Sequence, residues 1–248
     1  MNVKSFSVTA SVLLLVMASF PACNQTNSKK GNIESLMTTD HCSKAAAVTN
    51  KITAFSKTSI YTISKDKILV AFLKDSLEHA ISFGKDAAEN TILSAMTTGN
   101  AHSSDIRAIT NMFADIHNHP KGTAPSSGDL YGLIQLATAN IDYKTRYVIT
   151  NGNGIYALTV VDLEAATNFV KKYPSISNPG YQPGFPDSLV DEFNRTRAVY
   201  SVKDETVMAF ILKKYNTGVL LLKQSDDGKF KCIATKEVDD SAGLNNYT

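Results

Sequence analysis

Residues 113–130, FADIHNHPKGTAPSSGDL, contain His117, His119 and Asp129, whose spacing restricts the fold more than any other feature of the chain. If the segment that carries His117 and His119 is a β-strand, both imidazoles point to the same face, because side chains alternate across a strand. Pro120 then ends strand pairing. A serine further on can cap a helix whose first turn carries Asp129. The segment therefore predicts a strand, a loop and a helix N-terminus that meet at one point.

These three polar side chains form a ligand set suited to a metal ion. His117 and His119 offer two neutral imidazoles and Asp129 offers a carboxylate, which leaves a fourth position for water, as in catalytic zinc sites. A structural zinc site would close that position with cysteine. We therefore predict that His117, His119 and Asp129 bind Zn²⁺.

The same stretch resembles the JAB/MPN (JAMM) family of zinc metalloproteases. The family signature is His-x-His-Pro followed by Ser-x-x-Asp, and the spelling here is closest to the RadC-like branch. The matching residues are His117-Asn118-His119-Pro120, Gly122, Pro125-Ser126 and Asp129-Leu130. The resemblance covers residues 60–165 and is strongest over 113–130. It implies metallopeptidase activity and an α/β (α+β), cytidine-deaminase-like fold, in which helices flank a mixed, curved sheet.

The resemblance also implies two residues that act on the substrate. The family's general base is a glutamate upstream of the histidine strand; Glu78, which comes shortly before an Ala-Ile-Ser-Phe-Gly strand, is the candidate and Glu89 the alternative. Ser126, in the Ser-x-x-Asp register, would donate a hydrogen bond to the developing oxyanion. The interval from His119 to this serine is one residue shorter than in the family, so Ser127 is the alternative.

Residues 1–22 read as a targeting segment that is removed before folding. Lys4 supplies positive charge, and the apolar run of residues 8–20 is too short for a bilayer span of about 20 residues. Cys23 directly follows a small residue, so the segment resembles a bacterial lipoprotein signal with Cys23 as the lipidated N-terminus; an ordinary cleaved signal is the alternative. Residues 23–36 predict a flexible tether. We therefore expect a lipid-anchored protein of the bacterial cell envelope, periplasmic or surface-exposed.

Charge and cysteine content restrict the partners. The net charge is +2 without a long basic run, which does not favour nucleic-acid binding. Cys42 and Cys232, at opposite ends of the mature chain, could form one disulfide in an oxidising compartment or remain two buried thiols. An envelope location indicates peptide, protein or peptidoglycan-stem substrates and a membrane contact through the lipid.

Hydrophobic periodicity and turn residues divide the remaining chain. We predict a JAB/MPN-like domain over residues 37–173, a Pro/Gly-rich loop over 174–186 that acts as a lid or linker, and a C-terminal accessory region over 187–248 with two helices and a hairpin. Helices are predicted over residues 41–57, 65–77, 103–111, 129–139, 162–173, 189–200 and 204–215, and a strand over 68–73 is the alternative to the second of them. Strands are predicted over residues 79–84, 90–96, 113–117, 146–150, 155–161, 218–223 and 229–235.

Three functions fit this sequence. The first is a zinc-dependent peptidase or isopeptidase that hydrolyses an amide bond. The second is a binding module that keeps the metal ligands but has lost turnover and recognises a partner protein. The third is a secreted toxin or effector that uses the same site. Glu78 separates the first two, because replacing it by glutamine should abolish hydrolysis and leave zinc bound, whereas a binding module would be unaffected.

Overall fold

Helices and strands follow one another in short groups along the described residues. The computed structural model describes residues 39–152, 154–177 and 181–235, with side chains from residue 45 onward. The helices are α1 (Thr39–Ser56), α2 (Ser59–Asp75), α3 (Ser127–Ala139), α4 (Leu163–Lys172), α5 (Asp187–Tyr200) and α6 (Asp204–Lys214). The strands are β1 (His79–Lys85), β2 (Thr91–Leu93), β3 (Thr97–Thr98), β4 (Ala114–His119), β5 (Thr145–Thr150), β6 (Gly154–Val160), β7 (Val219–Gln224) and β8 (Phe230–Cys232).

In the part of the chain that the structure describes, eight strands form one mixed, open sheet. Their order is β2-β1-β4-β5-β6-β7-β8, and β3 also pairs with β1. The pair β4–β5 is parallel, from Ala114↔Thr145 to His119↔Thr150, and the other pairs are antiparallel. A parallel pair needs a crossover connection, and α3 provides it. The predicted mixed sheet is therefore confirmed, and the strand with both histidines lies inside it.

Helices cover both faces of this sheet, as the sequence predicted. On one face, Ile116 of β4 belongs to a buried cluster with Ile68 of α2 and Ile52 of α1. On the other face, Val148 of β5 is buried together with Leu133 of α3. Because side chains alternate along a strand, the residues of β4 on either side of Ile116 point toward α3.

Residues 103–111 do not form the helix that their pattern predicts. Their backbone is irregular and is hydrogen-bonded to the sheet instead. The carbonyl of Asp105 accepts from the Thr97 hydroxyl at 2.6 Å, and that of Arg107 accepts from the Ser82 hydroxyl at 2.6 Å. These carbonyls have partners outside the segment, so a helical ladder is not needed to satisfy them. The segment becomes a wall of the site rather than a helix leading into it.

The region after residue 187 joins the same sheet. β7 pairs with β6, from Tyr156↔Lys223 to Val160↔Val219, and Ile211 of α6 is buried in the cluster that contains Leu133. The described residues fall within one compact unit, Thr38–Thr248. The two helices and the hairpin predicted here are confirmed, and both are part of the sheet-and-helix framework.

Several predictions concern residues outside the described ranges. The signal peptide (1–22), Cys23 and the tether (23–36) lie there, as do residues 236–248 and the side chain of Cys42. Cys232 is half-buried on β8. The Cys42–Cys232 disulfide therefore stays a prediction. Among the helices that are described, none is long and apolar enough to span a membrane.

Candidate metal centre

Strand β4 and helix α3 bring the three predicted ligands together. His117 and His119 point to the face that α3 covers, and Asp129 lies in the first turn of α3. His117 Nε2 is 3.0 Å from Asp129 Oδ1, His119 Nε2 is 3.2 Å from Asp129 Oδ2, and the two Nε2 atoms are 3.1 Å apart. All three side chains are buried, and their ligand atoms lie within 4.8 Å of one another. The group could therefore hold one metal ion.

The Nδ1 atoms of the two histidines, which point away from Asp129, differ in their hydrogen bonds. His119 Nδ1 is 3.0 Å from the Thr123 carbonyl and 3.2 Å from its hydroxyl, so the Nδ1–H donates there and the Nε2 lone pair faces Asp129. His117 Nδ1 is buried and has no hydrogen-bond partner among the described residues. With two nitrogen donors and one carboxylate converging, the donor set fits zinc or a similar first-row metal.

Charge is concentrated at this point. Burial alone would lower the pKa of His117, but the Asp129 carboxylate and the nearby Asp115 raise that pKa to about 9. Burial would likewise raise the pKa of Asp129, yet His119 and His117 hold it well below its usual range. The carboxylate is thus ionised and has positive charge beside it, which a metal cation would replace.

Ser126 fixes the third ligand through a capping box at the start of α3. Its hydroxyl accepts from the Asp129 N–H at 3.2 Å, while Asp129 Oδ2 accepts from the Ser126 N–H at 2.6 Å and from its hydroxyl at 2.8 Å. Such a box satisfies helix donors that otherwise lack partners. Ser127 is the first residue of α3. The structure therefore places Ser126, in the Ser-x-x-Asp register, beside the ligands.

Glu78 is buried in the wall of the same cleft. It precedes β1 directly and lines a cavity of about 220 Å³ together with His117, His119 and Asp129. Burial raises the pKa of this carboxyl group. Glu89, the alternative base, instead lies at the turn between β1 and β2, with its side chain exposed and paired to Lys85. Of the two glutamates, the structure brings Glu78 to the metal ligands.

Asn118 holds the backbone on both sides of Glu78. It lies between the two histidines on β4, and its side chain points to the opposite face of the sheet. Its Oδ1 accepts from the His79 N–H at 2.7 Å, and its Nδ2 donates to the Leu77 carbonyl at 3.0 Å. Glu78 itself exchanges backbone hydrogen bonds with the loop after β3, because its N–H donates to the Asn100 carbonyl at 2.9 Å. The position of Glu78 is therefore fixed both from β4 and from the loop after β3.

A buried ionic network lies beneath the ligands. The Asp115 carboxylate is inaccessible to solvent and accepts from Arg146, with Nε 3.2 Å from both oxygens and Nη2 3.1 Å from Oδ2. The Tyr143 hydroxyl donates to the same carboxylate. Arg146 Nη1 also donates to the Asp129 carbonyl at 3.3 Å, so the network joins β4, β5 and α3.

Two loops border the cleft on its open side. The loop after β3 contributes His102, and the Pro/Gly-rich loop contributes Tyr181, and their rings lie 4.6 Å apart between centroids. Both residues line a second cavity of about 330 Å³ that also contacts Glu78 and His119. The part of the Pro/Gly-rich segment that follows residue 180 is thus a wall of the cleft.

Sequence reasoning grouped the three candidate ligands but missed the residues that support them. Asp115 had a usable signal, because it lies two residues before His117 and so shares its face on a strand. Arg146 and Tyr143 had none, because their positions depend on the parallel pairing of β4 and β5. The contacts that Asn118 makes with the backbone around Glu78 cannot be read from spacing.

Comparison with known proteins adds no identification to this geometry. No protein-family model matches the chain, and no curated protein matches it significantly.

Proposed function

We propose that this protein is a zinc-dependent peptidase or isopeptidase with a JAB/MPN-like fold. The observation that carries the proposal is the convergence of His117, His119 and Asp129 in a cleft whose wall contains the buried carboxyl group of Glu78. Two imidazoles and one carboxylate with an adjacent glutamate match the ligand and base requirements of metal-assisted hydrolysis. The motif at residues 117–130 and the mixed sheet flanked by helices support the same family.

The residues divide the chemistry between them. A zinc ion held by the three ligands would act as a Lewis acid and lower the pKa of a coordinated water to about 7. Glu78 accepts a proton from the attacking water and returns it to the leaving amine nitrogen as the C–N bond breaks. Burial raises the pKa of Glu78, which makes its carboxylate a stronger base for the first half of this transfer. The Ser126 hydroxyl, which lines the cleft and donates to Asp129 Oδ2 in the substrate-free protein, would turn its O–H to the oxygen of the scissile carbonyl when substrate binds.

Location and substrate follow from the N-terminal sequence. A lipid on Cys23 and a polar tether over residues 23–36 would hold the domain at the bacterial cell envelope. Peptides, proteins and peptidoglycan stem peptides are the amide substrates available there. Mass spectrometry of the mature protein tests the anchor: a diacylglycerol-modified Cys23 is expected, and a Cys23→Ala variant should lack it and leave the membrane fraction.

The function is tested by measuring metal content and hydrolysis together. Wild type should bind about one zinc per chain, His119→Ala should lose it, and Glu78→Gln should keep it. Fluorogenic peptides, isopeptide-linked peptides and stem peptides serve as substrates. Glu78→Gln should lower turnover by about 100-fold or more, the size of effect expected from losing a general base. Glu89→Gln, at the exposed turn, is the matched control and should retain wild-type turnover.

The outcomes separate the functions. Zinc bound by wild type with turnover lost in Glu78→Gln supports the peptidase. Zinc bound without hydrolysis of any substrate in wild type favours the binding module. No zinc in wild type after reconstitution contradicts the metal site itself.

A further inference from the structure

Asp115 is a buried charged residue to which the reaction above gives no role. It lies two residues before His117 on β4 and is inaccessible to solvent. A carboxylate in such a place needs strong partners, because burying an unpaired charge is costly. Arg146 and Tyr143 supply them. These partners account for Asp115 as a member of an ion pair, but not for its position beside a metal ligand.

The two candidate imidazole ligands differ in their support. A histidine that binds metal through Nε2 carries its proton on Nδ1, and that N–H needs an acceptor to fix the ring. For His119 the acceptor is the Thr123 carbonyl, 3.0 Å away. His117 Nδ1 has no hydrogen bond to any residue that the structure describes, although it is buried. The Asp115 Oδ1 atom is 3.9 Å from it, about 1 Å beyond hydrogen-bond distance.

We propose that Asp115 orients His117 for metal binding by accepting a hydrogen bond from its Nδ1–H, an inference that rests on the metal site proposed above. A small rotation of the His117 ring toward Asp115 closes the gap and leaves Nε2 directed at Asp129. Asp115 is then a positioning residue that acts through His117. Asp115 thus accepts the Nδ1–H of His117 as the Thr123 carbonyl accepts the Nδ1–H of His119.

Arg146 makes this arrangement both rigid and charge-balanced. Its guanidinium binds Asp115 through two nitrogens and reaches the Asp129 carbonyl with a third, so it ties the supports of two ligands together. Arg146 Nη1 is 4.0 Å from Asp129 Oδ1, where its positive charge alone would oppose a bound cation. The Asp115 carboxylate offsets that charge. Losing Asp115 therefore removes a hydrogen bond that orients His117. It also leaves the positive charge of Arg146 unbalanced beside the site where the cation would bind.

The test compares zinc affinity in three purified full-length chains. Metal-free wild type, Asp115→Asn and Glu192→Gln are titrated with Zn²⁺ against a competing chelator. Glu192 is the matched control, because it is also a buried carboxylate that accepts from a lysine and a tyrosine, Lys214 and Tyr215, but on α5. Asp115→Asn should weaken zinc binding by about 10- to 100-fold. Glu192→Gln should leave it unchanged, although both substitutions lower stability.

The outcomes distinguish this inference from the proposed function. Wild-type zinc affinity in folded Asp115→Asn overturns the role of Asp115 and leaves the metal site standing. Wild type that binds no zinc overturns both. Zinc binding with the expected loss in Asp115→Asn, but without hydrolysis, overturns the peptidase and supports Asp115.

A measurement on wild type covers the case in which Asp115→Asn does not fold. In the zinc-loaded protein with ¹⁵N-labelled histidine, NMR should show His117 coordinated through Nε2 and a His117 Nδ1–H that is protected from exchange with water. Coordination through Nδ1, or an Nδ1–H that exchanges rapidly, would refute the inference.

Discussion

Replacing Asn118 with leucine should lower the stability of the protein, because the Asn118 side chain makes two hydrogen bonds to the backbone of a neighbouring segment. Leucine is similar in size but removes both hydrogen bonds, at 2.7 Å to the His79 N–H and 3.0 Å to the Leu77 carbonyl. A buried backbone group left without a partner costs about 1–3 kcal/mol. The His79 N–H is buried, so its loss falls within the whole of this range. The Leu77 carbonyl is only partly buried and can bond to water, so its cost lies at about 1 kcal/mol, the lower limit of the range. We therefore expect a loss of about 2–4 kcal/mol in the free energy of unfolding.

Urea denaturation of the metal-free protein measures this loss. The midpoint should fall while the slope of the transition stays constant, because the same surface is exposed on unfolding. Asn194→Leu, the same substitution on the exposed side of α5, is the control and should change stability by no more than about 0.5 kcal/mol. Hydrogen exchange at the His79 amide should also accelerate in Asn118→Leu.

The same variant tests whether Asn118 positions Glu78. If it does, kcat should fall by about 100-fold, as expected when a reacting group is displaced by about 1 Å, while KM and zinc content change little. A loss of stability below 0.5 kcal/mol, or an unchanged exchange rate at His79, would refute the reasoning.

Three further predictions concern the immediate surroundings of the metal centre. Gly132→Ala would usually strengthen a helix by about 1 kcal/mol, but its Cβ would lie 2.6 Å from Arg146 Nη1, so the denaturation midpoint should fall by the equivalent of about 1–3 kcal/mol; a rise would contradict this. Because the folded-state pKa of His117 is raised from 6.5 to about 9, the metal-free protein gains stability that is complete below pH 6.5 and is lost as the pH rises through 9. Its urea midpoint should fall over that interval, and His117→Gln should show a flatter profile. Ser126→Ala should lose about 1 kcal/mol of stability with the capping box, visible in thermal unfolding, and about 100-fold in turnover; wild-type turnover would rule out its role at the oxyanion.

Much of the fold could be predicted because local patterns agree with the tertiary structure. Asn151-Gly152 between two β-branched runs predicts the β5–β6 hairpin, and Gly152 does adopt a positive φ of 80°. Asp162, a residue type that favours helix N-termini, caps α4 by accepting from the Ala165 N–H. The error over residues 103–111 arose because spacing alone cannot show that carbonyls will be satisfied by hydroxyls on neighbouring strands.

In the candidate site, too, some residues could be predicted from local patterns and others depend on strand pairing. His117, His119 and Asp129 are close in sequence, and strand alternation with a helix cap places them together. Glu78 required the family resemblance, because its approach depends on the antiparallel pairing of β1 with β4. Arg146 required the parallel pairing of β4 with β5, which no short-range pattern encodes.

The crossover from β4 through α3 has a consequence for how the centre assembles and how it can fail. All three ligands come from one short segment, residues 117–129, so few chain-closure constraints delay their meeting during folding. Glu78, directly before β1, reaches the site only through the pairing of β1 with β4. If the proposed function holds, damage to β1 or to this pairing would leave a chain that still binds metal but does not hydrolyse its substrate. An assay that counts bound ions alone would not detect such a species.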